Sequence, residues 1–385
     1  MQKTESPGYY EFFAGGGMVR AGLGESWSCL FANDLDAGKA RAYRANWGGD
    51  WLKLEDIGRL AAADIPGRAD LAWASFPCQD LSLAGAGAGL GGARSGTFWT
   101  FWRLMQALKA EGRAPAIIAL ENVCGALTSH GGRDFAAIGE ALSSGGYRFG
   151  AMVIDAARFL PQSRPRLFIV AVSKDRHLPE DCVSSEPSAD WHPPALIAAH
   201  ARLSDMAAED WLWWRLPAPA RRNVALIDIV ETDPAGVRWL SDDRLDALIA
   251  MMDANNRAKL DAARADGQPR VGALYKRTRP DGQGGKIQRA EIRFDGLAGC
   301  LRTPAGGSSR QSILIVEGGK LAARLLTARE TARLMGLPDS YLLPGSYTEA
   351  YHLTGDGVAT PVVGHLARHL FEPLLAASKI GRRAA

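Results

Sequence analysis

Short apolar runs alternate with longer amphipathic stretches over the first 175 residues of the chain. The apolar runs predict buried β-strands, and they read YYEFF, SCLFAND, DLAWASF, AIIALENV and RLFIVAV. The stretches between them have helical spacing, and they read AGKARAYRANW, TFWTFWRLMQALKAEG and RDFAAIGEALSSGG. This alternation predicts a parallel, doubly wound α/β sheet; the alternative on pattern alone is a fold with separate α and β layers.

The pattern changes after about residue 180, where proline and serine in SSEPSADWHPPAL mark a boundary. Residues 200–265 are mostly helical in pattern, and residues 270–310 have the glycine and arginine content of loops and short strands. The last apolar stretch, GVATPVVGHLARHLFEPLLAASKI, predicts a long helix that returns to the first domain. We therefore predict a first domain over residues 1–180, a second over 181–340, and a returning C-terminal segment over 341–385.

Composition excludes several classes of protein. A hydrophobic content of 47% is ordinary for a globular chain, and a net charge of +3 excludes a strongly basic polymer binder but not a local basic face. No apolar run approaches the roughly 18 residues that span a bilayer, and the first residues lack a secretory signal. The five cysteines are widely spaced without a CxxC pair, which argues against a disulfide scaffold or zinc site. We expect a cytoplasmic protein.

A glycine-rich segment, EFFAGGGMVRAGLG at residues 11–24, joins the first predicted strand to a helix. Gly15 and Gly17 allow the backbone to turn sharply and approach a ligand. Asp34 follows the next strand, where an acid can bind the hydroxyls of a ribose, and Asp56 is placed to accept from an adenine amino group. Loop and acids together predict a nucleoside cofactor and leave NAD and S-adenosylmethionine open, whereas the loop alone would also fit a tight turn.

A cysteine follows the predicted strand DLAWASF in the segment SFPCQDLSLAG. Cys78, directly after Pro77, would lie at the carboxyl end of a parallel strand, where α/β sheets bind their ligands. A lone cysteine is most often a small buried hydrophobe, but the polar residues beside this one favour a nucleophile in a loop. The remaining cysteines keep the buried interpretation: Cys29, Cys124, Cys182 and Cys300.

Two further motifs place charged side chains at strand ends. Glu121, in LENVCGAL, ends the strand PAIIAL, where a carboxyl group can donate a proton; the alternative is an ordinary solvated acid. Arg164 and Arg166 precede a predicted strand in PQSRPRLFIV. Because they are two positions apart in an extended segment, we expect both side chains to point the same way, towards a carbonyl oxygen, carboxylate or phosphate.

In order and spacing, these motifs resemble the cytosine-5 DNA methyltransferase family. FAGGG, FPCQ, ENV and QSRPR occur in register, and RSGTFW, LTARETARLMGLPDSY and GDGVATPVV continue the match over nearly all of the chain outside residues 180–295. The resemblance implies an α/β fold, with a Rossmann-like S-adenosylmethionine-dependent methyltransferase domain and a smaller variable target-recognition domain. The first would be the catalytic, cofactor-binding domain over 1–180.

The resemblance also assigns catalytic roles. Cys78 would add to C6 of cytosine and so make C5 nucleophilic, and Glu121 would hydrogen-bond N3 and the exocyclic amine. Arg166, with Arg164 beside it, would bind the base carbonyl. The target base would be flipped out of the duplex, the loop LAGAGAGLGGARSG would close over the site, and no metal would be required.

The cofactor implied by the resemblance is S-adenosyl-L-methionine. Its matched binding positions are Phe13, Ala14, Gly15, Gly17, Asp34, Asp56, Ile57, Pro77 and Val358. Three positions depart from the family pattern: Glu11 stands where Asp is usual, Met18 where glycine is common, and Asp356 where Asn is usual. None of the three belongs to the assigned catalytic residues.

Residues 270–310 carry nine basic residues against three acidic ones. The basic residues are Arg270, Lys276, Arg277, Arg279, Lys286, Arg289, Arg293, Arg302 and Arg310. Loops of this composition, which also hold Tyr275, suit contact with a phosphate backbone and a groove; a solvated charged surface is the alternative.

We therefore predict a DNA (cytosine-5-)-methyltransferase of bacterial restriction–modification or orphan type. Its expected partners are double-stranded DNA and a cognate restriction endonuclease that would be encoded separately, and we expect a monomer without membrane association. The nearest alternative is a tRNA cytosine-5 methyltransferase on the same scaffold. A catalytically dead nucleic-acid-binding relative would not need Cys78, Glu121 and Arg166, and a nicotinamide oxidoreductase leaves FPCQ and QSRPR unexplained.

Overall fold

The computed structural model describes residues 6–77, 96–281, 284–303 and 310–381. The chain divides into two compact units, each built from separate stretches of sequence. The first unit comprises Met1–Asp155, Pro165–Pro219 and Val358–Ala385, and the second comprises Ala156–Arg164 and Ala220–Gly357. Among the described residues, no helix is both long and apolar enough to cross a membrane.

Within the described residues, the first unit contains a seven-stranded sheet with the order β3-β2-β1-β4-β5-β7-β6. The strands are β1 Gly8–Phe12, β2 Ser28–Asp34, β3 Leu52–Leu54, β4 Leu71–Ala74, β5 Ile117–Val123, β6 Tyr147–Asp155 and β7 Pro165–Ser173. From β3 to β5 neighbouring strands are parallel, and their apolar residues are buried. A parallel sheet that is buried on both faces needs continuous apolar strands, as the sequence has here. The predicted α/β class is confirmed.

The far side of the sheet differs from the prediction of an all-parallel arrangement. Strand β7, predicted from RLFIVAV, runs antiparallel to both β5 and β6. Strand β6 was not predicted, because YRFGAMVID mixes polar and glycine positions with apolar ones. The reversal means that the beginning of β7, rather than its end, lies at the edge where the parallel strands end.

Helices of the first unit pack on the sheet and complete its core. They are α1 Met18–Leu23, α2 Ala37–Trp47, α3 Thr97–Ala110, α4 Arg133–Ser144, α5 Pro194–His200, α6 Asp205–Glu209, α12 Thr360–Leu366 and α13 Glu372–Gly381. Phe101 of α3 packs edge-on against Phe12 of β1, with ring centroids 5.2 Å apart. Between α12 and α13 a π-helical turn, Ala367–Phe371, places the ring of Phe371 against Trp73 of β4. The C-terminal stretch Val358–Ala385 is thus part of the first unit.

The first unit extends to residue 219, whereas the sequence predicted a boundary at 180. The short strands β8 Val183–Ser184 and β9 Trp213–Trp214 pair with each other. The indole N–H of Trp214 donates to the carbonyl of Val170 at 3.1 Å, which fixes this stretch to β7. The returning segment begins at residue 358 rather than 341, because α11 Tyr347–Asp356 packs against helix α10 Ala328–Arg333 of the second unit.

In its described part, the second unit contains a four-stranded antiparallel sheet with the order β11-β10-β12-β13. Its strands are β10 Arg270–Pro280, β11 Lys286–Arg293, β12 Ser312–Glu317 and β13 Lys320–Leu325, and its helices are α7 Leu226–Ile229, α8 Asp242–Ala250, α9 Ala254–Ala265, α10 Ala328–Arg333 and α11 Tyr347–Asp356. Helix α9 packs on β11 and β12 around Leu260, Ile292 and Leu314. Strands β10 and β11, within the stretch 270–310 predicted as loops and short strands, pair as a long antiparallel ribbon whose apolar positions face this helix.

Candidate active site

The loops that carry the sequence motifs of the first unit leave adjacent strands at one edge of the sheet. Phe12 at the end of β1 is paired with Ala74 at the end of β4, and Ala74 is paired with Leu120 of β5. The order of the strands reverses between β1 and β4, which is where an open α/β sheet forms its ligand crevice. The structure thus brings the glycine loop, the strand end before Cys78 and Glu121 to neighbouring positions.

The glycine loop after β1 is tightly constrained. Phe13 has a left-handed backbone with φ 58°, and Gly15 and Gly17 follow with φ 55° and 77°. A Cβ at Gly17 would lie 2.4 Å from Nε1 of Trp47, which itself donates to the carbonyl of Gly16 at 3.0 Å. At Gly15, by contrast, no described atom lies within 4 Å of a Cβ position, so within the described residues there is space on that side of the loop.

Of the two acids that the sequence singled out, Asp34 contacts this loop and Asp56 lies in a separate turn after β3. Asp34, at the end of β2, accepts a hydrogen bond from the backbone N–H of Gly15 at 2.7 Å, and its second oxygen accepts from the N–H of Asp36. Asp56 caps a short 3-10 helix, Ile57–Arg59, through the N–H of Gly58. Ile57 is buried, whereas Asp56 is exposed.

An acid with an unusual environment begins the same segment. The side chain of Glu11 is completely buried in β1, and this burial raises the pKa of its carboxyl to about 8. Arg20 and the backbone amides of Val19 and Arg20 oppose the shift, but they do not compensate for the lost hydration. Glu11 therefore retains its proton over a pH range in which an exposed carboxyl is ionised.

Cys78 itself lies outside the described residues, as does the following glycine-rich segment up to residue 95. The chain is described up to Pro77, which is exposed three residues beyond the end of β4. The carbonyl of Phe76 accepts a hydrogen bond of 3.0 Å from the side-chain amide of Asn122, which is buried in β5. The loop is thus anchored to β5 two residues before Cys78.

Glu121 and Arg166 form an ion pair in the first unit. Val123 of β5 is paired in register with Arg166 of β7, so Glu121 and Arg166 are diagonal neighbours on one face of the sheet. Nε of Arg166 lies 3.3 Å from Oε1 of Glu121, and the two side chains are 15% and 7% exposed. This contact depends on the antiparallel course of β7, which the sequence did not predict.

Arg164 does not join this pair, contrary to the expectation that both arginines point the same way. It belongs to the second unit and is 2% exposed. Its guanidinium group donates to the backbone carbonyls of Leu301, Gly355 and Gly357 at 2.7–2.8 Å. The chain passes from one unit to the other between Arg164 and Pro165, so the alternation rule for a single strand does not apply. In this structure Arg164 holds backbone segments together.

Two further predicted cofactor positions and two departures from the family pattern lie on different parts of the structure. Ala14 is buried, and its N–H donates to the carbonyl of Asn33. Val358 is 4% exposed at the beginning of the C-terminal stretch of the first unit. Met18, a departure from the family pattern, is buried as the first residue of α1. Asp356 ends α11 in the second unit and accepts a hydrogen bond from the hydroxyl of Thr303.

Three described features near this edge could hold a nucleoside cofactor. They are the space beside Gly15, the carboxylate of Asp34 and the apolar, buried side chain of Ile57. No cluster of three or more His, Cys, Asp or Glu side chains that could hold a metal ion occurs among the described residues.

Sequence reasoning missed three residues that shape the site. Asn122 anchors the loop before Cys78, and Trp47 holds the glycine loop. Asn33 donates to the carbonyls of Lys53 and Glu55 and so positions the segment that precedes Asp56. The available signal was a polar residue within an otherwise apolar strand, as in SCLFAND and IIALENV.

Comparison with known proteins connects these features to one family. The family model described as C-5 cytosine-specific DNA methylase matches residues 9–372. The type II methyltransferase M.NlaX of Neisseria lactamica is 28% identical over 372 residues, which cover 96% of this chain and 97% of that protein. M.HhaI of Haemophilus parahaemolyticus is 24% identical over 365 residues, covering 94% and 93%.

Solved structures share the fold. Dnmt2 methyltransferase from S. pombe superposes with a TM-score of 0.59 at 18% identity, covering 96% of this chain and 99% of that one. A putative DNA modification methyltransferase encoded within an E. coli prophage gives a TM-score of 0.57 at 15% identity, covering 96% and 100%. At these identities the likeness concerns the fold alone.

Proposed function

The chain belongs to the C-5 cytosine-specific DNA methylase family, and from this premise we propose that it transfers a methyl group from S-adenosylmethionine to C5 of a cytosine in duplex DNA. The observation that carries the proposal is the ion pair of Glu121 and Arg166 beside the strand end that leads to Cys78. A carboxyl group and a guanidinium group held together at the edge of a ligand crevice can contact the polar edge of one flat base.

Cys78 is the proposed nucleophile. Its thiolate adds to C6 of the cytosine, and the displaced electron pair makes C5 nucleophilic as N3 becomes protonated. S-adenosylmethionine supplies the methyl group that C5 then accepts. Loss of the C5 proton restores the double bond and breaks the C6–sulfur bond, which releases the thiolate.

Glu121 and Arg166 orient the base in this proposal. The carboxyl group of Glu121 hydrogen-bonds N3 and the exocyclic amine, and it holds the proton at N3 while Cys78 is attached. Arg166 donates to the base carbonyl oxygen and keeps Glu121 in position through the 3.3 Å contact. Since a base stacked in a duplex is inaccessible, the cytosine must be flipped out to reach these groups.

The cofactor would be held by the loop and acids of the first unit. Asp34 accepts from the ribose hydroxyls, Asp56 from the adenine amine, and Ile57 packs against the adenine ring. The backbone from Phe13 to Gly17 cradles the methionine part, together with Pro77 and Val358. The open space at Gly15 and the fixed position of Asp34 support this assignment.

The relatives M.NlaX and M.HhaI are type II methyltransferases, which supports a role in restriction–modification. We accordingly propose double-stranded DNA as the substrate, with a separately encoded endonuclease of the same specificity as a partner of the system. A monomer in the bacterial cytoplasm stays a prediction. We propose that Arg164 stabilises the second unit rather than binding the base carbonyl, because both of its terminal nitrogens donate to backbone carbonyls of that unit.

Bisulfite sequencing of plasmid DNA from cells that express the protein tests this function. We expect cytosines within one short sequence to resist conversion, and we expect no such protection with Cys78→Ala. The same cells provide tRNA for an identical measurement. Protected tRNA together with unprotected plasmid DNA would overturn the choice of DNA and favour the tRNA alternative.

A further inference from the structure

The hairpin of β10 and β11 extends beyond the core of the second unit. Its inner part is held by buried residues such as Leu274, Ala290 and Ile292. From residue 276 to 280 on β10 and from 286 to 288 on β11, every side chain is exposed. Five extended residues span about 17 Å, so a two-stranded ribbon projects well past the core. Residues 282 and 283 lie outside the described residues.

The two faces of this ribbon carry different chemistry. Successive side chains on a strand alternate, and paired residues share a face, so Arg277, Arg279, Arg289 and Ile287 lie on one face. We call this the arginine face. The opposite face continues the core side of the hairpin and carries the side chains of Lys276, Thr278, Lys286 and Gln288.

The arginine face is held in position by a carboxylate. Glu291 pairs with Arg279 through Nε at 2.6 Å and also lies 3.6 Å from Nε of Arg277. The guanidinium group of Arg277 lies over the ring of Tyr275, 4.6 Å from its centroid. Glu291 is 16% exposed, whereas the two arginines are 53% and 47% exposed. A largely buried acid thus fixes two accessible guanidinium groups.

We propose that the ribbon enters the major groove of duplex DNA, with Arg277 and Arg279 reading guanine and Glu291 positioning both. This inference rests on the proposed function for its substrate class. A two-stranded ribbon fits the major groove, which is about 12 Å wide. Oε1 of Glu291 contacts both Nε and Nη2 of Arg279, at 2.6 and 2.5 Å, and Oε2 lies 3.6 Å from Nε of Arg277. The N–H groups of each guanidinium that do not point at Glu291 are the proposed donors to O6 and N7 of guanine, the pair of acceptors that a guanidinium fork matches.

The lysine-bearing face serves a different purpose. Lys276 and Lys286 are flexible point charges without the fork geometry of arginine, so they suit phosphates rather than base edges. This difference gives a matched comparison, because replacing either pair removes two positive charges from the same ribbon. Only the arginine pair should change which sequence is bound.

The test begins with selection of a preferred sequence from random duplexes by the full-length protein, which requires no methylation. Arg277→Ala/Arg279→Ala should reduce the ratio of specific to non-specific affinity by about 10- to 100-fold. Lys276→Ala/Lys286→Ala should weaken binding to both kinds of duplex equally and make the salt dependence shallower by about two units. The inference is overturned if no preferred sequence emerges, or if only the lysine pair changes it.

The variant Glu291→Gln distinguishes a role of Glu291 in positioning the two arginines from a role in stabilising the fold. Because the change removes a negative charge beside DNA, non-specific binding should not weaken, yet discrimination between sequences should fall. A structural role would instead lower the unfolding midpoint and both affinities together. Unchanged discrimination with a folded variant would contradict the positioning role.

A base analogue tests the contact itself. Replacing the guanines of the selected sequence with 7-deazaguanine removes the N7 acceptor, so wild-type affinity should fall about tenfold or more. The double arginine variant should lose little further affinity. An equal loss of affinity in both proteins would overturn the guanine contact. If instead the binding results are as expected but plasmid DNA in cells stays unmethylated, the proposed methyltransferase activity is overturned and the guanine contact is not.

Discussion

At the scale of single residues, Arg164 and Arg166 illustrate how neighbouring members of one motif take different roles. Arg166 pairs with Glu121 in the first unit, and Arg164 donates to three backbone carbonyls in the second. The sequence identified both as functional residues because their spacing in an extended segment predicts a common direction. It could not show that the chain changes unit between them.

This division predicts opposite effects of two alanine variants. Arg166→Ala should lower kcat by about 100-fold or more, because it removes a donor and the partner of Glu121, while cofactor affinity is retained. Arg164→Ala should lower the free energy of unfolding by about 3 kcal/mol or more, because buried carbonyls lose their donor. Steady-state kinetics and urea unfolding on both proteins measure the two effects. A reversal of the two outcomes would contradict the assignment.

Buried Glu11 predicts a pH dependence of stability. The pKa of its carboxyl is about 8 in the folded protein, against 4.5 when exposed. Between these values the folded protein keeps a proton that the unfolded chain releases, so stability falls by about 1.4 kcal/mol per pH unit as the pH rises. Below pH 4.5 both states are protonated, and above pH 8 the loss is complete.

Glu11→Gln should remove this contribution, since the amide stays neutral. Relative to that of the wild type, the unfolding free energy of Glu11→Gln should rise by about 1.4 kcal/mol per pH unit from pH 5 to pH 7. Urea unfolding at several pH values provides the comparison. Glu25→Gln, at an exposed position, is the matched control and should show no such trend. A constant difference between Glu11→Gln and wild type would rule out a protonated Glu11.

At the scale of elements, apolar runs predicted five strands of the large sheet, and the structure confirms them as β1, β2, β4, β5 and β7. The predicted orientation of β7 was wrong. An apolar run reveals burial but not direction, and the hairpin with β6 was hidden by glycine and polar residues in YRFGAMVID. Only this reversal brings Arg166 to the end of β5 where Glu121 lies.

The glycine loop between β1 and α1 predicts that alanine variants of two glycines differ sharply in cofactor affinity. Gly17→Ala should abolish cofactor binding, because its Cβ would lie 2.4 Å from Nε1 of Trp47 and would displace the loop. Gly24→Ala has a similar φ of 73° but meets no described atom within 4 Å, so it should cost only about 1 kcal/mol of backbone strain. Calorimetric titration with S-adenosylmethionine distinguishes the two variants. Equal affinities would mean that the loop does not bind the cofactor.

At the scale of the whole molecule, the chain crosses between its two units four times, whereas the sequence predicted two crossings, into the second domain and back from it. The composition shift near residue 180 was real, but residues 183–219 pack on β6 and β7 through backbone and tryptophan contacts. Composition reports which residues a segment contains, and it does not report the strand against which they pack. Charge is also unevenly distributed, since the basic stretch 270–310 offsets a mildly acidic remainder of the chain.

The interleaving of the units predicts that the C-terminal helix is essential to the first unit. Removing residues 358–385 deletes buried Leu366, Leu370 and Phe371 from its core, so the shortened chain should lose cofactor binding and cooperative unfolding. Calorimetric unfolding with and without cofactor provides the measurement. Retained cofactor affinity in the truncated chain would contradict the assignment of this segment to the first unit.

The central claim is covalent methylation of a DNA cytosine through Cys78, and trapping on 5-fluorocytosine tests it most directly. Fluorine at C5 blocks the final elimination, so duplex DNA carrying 5-fluorocytosine in the selected sequence should form a denaturation-resistant complex with the protein. We predict that the complex requires S-adenosylmethionine and is absent with Cys78→Ala. No complex with the wild-type protein, or an equal amount with Cys78→Ala, would contradict the account.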